Sequence, residues 1–134
     1  MAKMNPVVHF EMPAEDGKRM TEFYTNSFGW NIQQLGPEMG NYMVVSTSET
    51  DGKGHPVRPG YIGGGFYPKP KDGSADHPSV VIAVDDISDS VQKVKAAGGT
   101  VLGEPMEIPG IGMYVSFKDT EGNRVSLLQP GDNM

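Results

Sequence analysis

The sequence predicts an α+β fold built from two successive strand–helix–strand–strand–strand units. Three observations carry that expectation. Short β-rich runs alternate with two segments of helical periodicity. Glycine (18 residues) and proline (11 residues) are frequent in a chain of 134, which favours turns and short strands over long helices. The order of elements before the Pro-, Lys-, Asp- and Gly-rich stretch at 68–78 returns after it.

The first unit, about 5–68, opens on Val7 to Met12, a β-rich run ended by Pro13. From Asp16 to Phe28, Met20, Phe23, Tyr24 and Phe28 fall close to one helical face, and Gly29 supplies a stop. Trp30 to Gln34 and Tyr42 to Ser46 read as strands joined by a Gly/Pro turn, and Thr47 to Gly60 as a long polar loop. Tyr61 to Tyr67 is a further strand; its run Gly63-Gly64-Gly65 marks a bulge or a close approach to the backbone. The second unit, about 78–130, repeats the plan. Ser79 to Val84 is a strand, Asp86 caps a helix carrying Ile87, Val91 and Val94, and Gly98-Gly99 ends it. Strands follow at Thr100–Met106, Met113–Lys118 and Arg124–Gln129, the last two joined by the turn Asp119–Asn123. Each half alone is small for a stable core, so residues 1–134 are expected to form one domain.

Composition narrows the function. The net charge is −6, from 17 acidic and 11 basic residues, with no basic cluster to neutralise phosphates. Nucleic acid and anionic membrane are therefore not expected partners. Cysteine is absent, which excludes disulfides, thiolate metal sites and a cysteine nucleophile. No apolar run matches a signal peptide or a membrane span, so a cytoplasmic protein is expected.

Particular segments resemble a known family. A strand with an early His, a helix holding Phe23-Tyr24 and ending Phe28-Gly29-Trp30, and Ala83-Val84-Asp85-Asp86-Ile87 followed by Ala96-Ala97-Gly98-Gly99 are similar to the modules of the glyoxalase/bleomycin resistance/dioxygenase (vicinal oxygen chelate) superfamily. Ile108-Pro109-Gly110-Ile111-Gly112 and Asp119 to Arg124 resemble its last hairpin. The likeness spans nearly the whole chain and is nearest to the uncharacterised glyoxalase-like branch. It implies two βαβββ modules in a half-open mixed β-barrel, helices outside and a ligand cavity inside, and a homodimer. On that fold, alternation turns Val7, His9 and Glu11 toward the cavity and Val8, Phe10 and Met12 under the helix. Ser79, Val81 and Ala83, Tyr114 and Ser116, and Arg124, Ser126 and Leu128 also face the cavity.

Metal-dependent members hold a divalent cation with His or Glu at one position on each of four cavity strands. Carried over, the positions are His9, Gly64, Ser79 and Ser126. Gly64 is reached by setting Tyr67-Pro68 against Gln129-Pro130. Only His9 is a retained ligand, whereas a catalytic metal site usually needs about three protein donors. The resemblance therefore implies a small-molecule ligand bound among His9, Gly64, Ser79, Tyr114, Arg124, Ser126 and Trp30, without the usual divalent metal and with no other cofactor. His9, Glu11 and Tyr114 are the candidate catalytic residues for acid–base work. Trp30, Tyr42, Tyr61, Phe66 and Tyr114 are candidate aromatic walls. The alternative is a metal-dependent enzyme of lactoylglutathione lyase or dioxygenase type with displaced ligands, rebuilt from His9, Glu11 and a loop histidine, His55 or His77. Turnover is open at this point.

Overall fold

A computed structural model describes residues 3–131. They divide into two compact units, residues 9–78 and residues 79–131 with 3–8. Each is α+β and follows the expected βαβββ order.

In the first unit β1 (Val7–Ala14), whose first two residues count with the second unit, leads into α1 (Gly17–Phe28). Asp16 caps α1, its carboxylate accepting the Arg19 N–H at 3.0 Å, so an orphan helix donor is satisfied. Gly29 ends the helix at φ 73°, a left-handed position that glycine occupies without strain. β2 (Asn31–Gln34) and β3 (Met43–Ser46) form a hairpin through a short 3-10 turn, and β4 (Gly63–Pro68) returns beside β1. The strand order is β2-β3-β4-β1, antiparallel except for the parallel β4–β1 pair. Pro13 does not end β1. It pairs with Tyr67 one residue short of the strand's end, where proline is best tolerated in a sheet.

The second unit repeats this with β5 (Ser79–Ala83), α2 (Ile87–Ala96), β6 (Thr100–Ile108), β7 (Gly112–Lys118) and β8 (Arg124–Pro130). The order β5-β8-β7-β6 again has one parallel pair, β5–β8. Asp86 caps α2 through the Asp89 N–H at 3.1 Å, and Gln129 of β8 accepts the Ile87 N–H at 2.9 Å. β6 runs two residues beyond its expected end, through a register shift between Leu102 and Met106.

Each helix covers its own apolar cluster. Ala14, Met43, Val45 and Phe66 form one, flanked by Phe10, Met12, Met20, Tyr24, Trp30 and Ile32. Val84, Ile87, Val91, Val115, Phe117 and Leu127 form the other. Alternation in the strands then leaves His9 and Glu11, and Tyr114, Ser116 and Ser126, on the faces turned from the helices.

Candidate active site

Glu11 is 7% exposed and His9 half-buried, two residues apart on one face of β1. Tyr42, immediately before β3, connects them. Its hydroxyl donates to Glu11 Oε2 at 3.0 Å and lies 3.0 Å from His9 Nε2. A phenol has one proton, so when it is given to Glu11 the His9 Nε2–H must be the donor to Tyr42 Oη. This fixes neutral His9 as the Nε2–H tautomer, with the lone pair at Nδ1. Burial supports the neutral form: desolvation holds the His9 pKa below the ordinary imidazole value.

Tyr42 reaches these partners because β4 is cleared for it. A Cβ at Gly65 would lie 1.6 Å from the Tyr42 hydroxyl oxygen. Gly64 points the other way, where a Cβ would meet the Phe10 ring at 2.4 Å, and a Cβ at Gly63 would come within 2.9 Å of the Val45 carbonyl. Three adjacent glycines thus answer three separate close approaches.

In the second unit, Tyr114 Oη lies 2.7 Å and Ser116 Oγ 2.8 Å from Ser126 Oγ. Arg124 Nη2 donates to Ser116 Oγ at 3.4 Å, a long contact. Ser126 and Ser116 are buried, so this hydroxyl string satisfies groups that would otherwise be costly to leave unpaired.

The ladders reveal an internal correspondence. Glu11 pairs with Gly65 and Val81 with Ser126; Val44 pairs with Gly65 and Ser116 with Ser126. Gly65, not Gly64, is therefore the counterpart of Ser126. Tyr42, two residues before Val44, is the counterpart of Tyr114, two before Ser116. Aligning the strand ends gives Gly64, one residue off, because hydrogen-bonded pairing sets the register and a shift of one turns a side chain to the opposite face.

The structure brings His9 and Glu11 together through Tyr42, joins Tyr114 directly to Ser126, and links Arg124 to Ser126 through Ser116. Ser79 is half-buried at the start of β5. Gly64 belongs with Phe10 under α1 and not beside His9. Trp30 joins the same layer, stacked on Tyr24 with ring centroids 4.6 Å apart and 5.8 Å from Phe10. Phe66 is fully buried core, so it is no cavity wall. His55 and His77 are exposed, His77 beside Asp76. The sequence marks Tyr42 only as a candidate wall; the signals for its bridging position are a glycine in register with Glu11 and a tyrosine at the equivalent place in the second unit, Tyr114.

The donors present do not fit the family's metal. With the register corrected, its four positions hold an imidazole, no side chain, and two hydroxyls, a poor set for a transition metal. Among the described residues, no three His, Cys, Asp or Glu side chains gather into a group that could hold an ion. No helix among them is long and apolar enough to cross a membrane.

Comparison with known proteins gives a consistent family. The sequence model of the Glyoxalase/Bleomycin resistance protein/Dioxygenase superfamily matches residues 7–127. CFP32 of Mycobacterium tuberculosis, named a glyoxylase on provisional grounds, is 39% identical over 90 residues, covering 67% of this chain and 30% of that protein. The anthracycline biosynthesis protein DnrV of Streptomyces peucetius is 28% identical, over 91% of this chain and 46% of that protein. Lactoylglutathione lyase GLX1 of Arabidopsis thaliana is 27% identical, over 92% and 44% respectively. The chain thus spans less than half the length of these curated relatives. Among solved structures, a Streptomyces coelicolor methylmalonyl-CoA epimerase matches 97% of both chains with TM-score 0.69 at 14% identity, a likeness of fold.

Proposed function

Because the chain belongs to the Glyoxalase/Bleomycin resistance protein/Dioxygenase superfamily, we propose that it binds a small molecule without the divalent metal that many members use. One observation carries the reading. At Gly65, in register with Glu11, the strand offers no donor, and the Tyr42 hydroxyl occupies the space a ligand side chain would need. Serine at positions 79 and 126 supports it, since hydroxyls are poor ligands for transition metals. Candidate ligand contacts are His9, Glu11 and Tyr42 in the first unit and, taken by itself, the set Ser79, Tyr114, Arg124 and Ser126 in the second. By likeness to the family, the protein acts in the cytoplasm as a homodimer. The relatives' names supply a second reading, a metal-dependent enzyme of lactoylglutathione lyase type, which the resemblance to the Arabidopsis protein favours.

Metal analysis of the purified protein, followed by thermal shifts with nickel, zinc, manganese and iron, separates the two. The expected result is far less than one metal per chain and no metal-induced stabilisation. Stoichiometric metal that is lost in His9→Ala would establish the second reading instead.

A further inference from the structure

The segment joining β3 to β4 is long but tied together. At its neck Thr47 Oγ1 donates to the Ile62 carbonyl at 2.7 Å. Further out the Val57 N–H reaches the Glu49 carbonyl at 3.0 Å, and Thr50 and Pro56 form an isolated bridge. At the tip the Asp51 carboxylate accepts the Lys53 and His55 N–H groups at 2.8 and 3.0 Å, an Asx-type closure. Two legs are thus held side by side. Both contribute to a cavity of about 230 Å³ lined by Ser48, Glu49, Val57, Arg58 and Tyr61. None of these residues belongs to the His9–Tyr42–Glu11 group.

Three features of this cavity point to an occupant. Ser48 Oγ is buried and meets no hydrogen-bond partner among the described residues, a costly state for a hydroxyl. Glu49 on one leg and Arg58 on the other carry opposite charges and line the same space. Among the described residues neither enters an ion pair, with each other or with a third group. Val57 and Tyr61 are about half exposed and add apolar wall.

We propose that this cavity is a second binding site, for a small zwitterion of the α-amino acid class with an apolar side chain. The Arg58 guanidinium takes the ligand carboxylate, whose planar form suits a two-pronged donor. The Glu49 carboxylate takes the ligand ammonium, and the apolar side chain lies against Val57 and Tyr61. A turn of Ser48 about χ1, from one staggered position to another, brings its hydroxyl to the ligand carboxylate. A dipolar ligand is selected because a simple anion would be repelled by Glu49 and a simple cation by Arg58. Size sets a further limit: the cavity is smaller than the roughly 300–1,000 Å³ of sites for drug-sized molecules, which suits a single amino acid.

The test titrates the full chain with L-leucine and follows backbone amides in nitrogen-15 correlation spectra. Saturable shifts confined to residues 47–62 are expected. N-acetyl-L-leucine, which lacks the ammonium, and L-leucinamide, which lacks the carboxylate, are expected to bind about tenfold more weakly or worse. Glu49→Gln and Arg58→Gln, both at exposed positions where the fold does not depend on them, should each weaken L-leucine binding by about tenfold. Ser48→Ala should raise the melting temperature, because the unpartnered hydroxyl is gone, and still weaken L-leucine binding. Shifts that do not saturate, or that fall outside residues 47–62, overturn the site. Equal binding of the three probes overturns the zwitterion class, and Ser48→Ala protein that binds as wild type does overturns the part given to the hydroxyl.

Discussion

At His9 the surroundings change the chemistry that the residue type supplies. Desolvation lowers its pKa in the folded protein, while the unfolded chain titrates at the ordinary value of about 6.5. As pH falls the unfolded state binds the proton first, so the stability contributed by neutral His9 is present above about pH 6.5 and is lost as pH falls toward the folded value. Urea unfolding of wild type should therefore weaken between about pH 7 and pH 5 by more than that of His9→Gln, which has no titrating ring. Equal losses in the two proteins would show that His9 is not desolvated. That a histidine stood at this strand position was legible in the sequence. Its tautomer was not, because the proton's place is set by Tyr42, far away in the chain.

Elements differed in how well the sequence specified them. Both helices start at an aspartate cap that accepts an N–H three residues on, and the first stops at Gly29, as local rules require. Strand β4 is the opposite case. The run of three glycines flagged a close approach, but which glycine faced which neighbour depended on pairing with β1 and β3. Gly65→Ala provides the test at this scale. Its methyl group would overlap the Tyr42 hydroxyl, and overpacking of this kind usually costs about 1–3 kcal/mol. Thermal unfolding should show the loss, and double mutation with Tyr42→Ala should recover much of it. No recovery would mean that another neighbour sets the need for glycine.

In the whole molecule, each unit carries its own buried cluster, and the two clusters share no residue. Phe66→Ala should cost about 3–5 kcal/mol and Leu127→Ala about 2–5 kcal/mol, from lost burial plus the cavity left behind. If the clusters are energetically independent, the double variant should match the sum within about 0.5 kcal/mol in chemical denaturation. A larger departure would show coupling between them. The sequence by itself determined the α+β class, the repeated βαβββ order, the helix limits and a family likeness with only one surviving metal ligand. These follow from periodicity, caps, glycine stops and residue chemistry, all of which act over a few neighbours. Only the tertiary structure decided that Gly65 and not Gly64 stands beside Glu11, that Trp30 lies in the layer under α1, and that Tyr42 joins His9 to Glu11. Those facts depend on strand register, which is fixed by hydrogen bonds between distant segments, and a shift of one residue exchanges the core face for the site face.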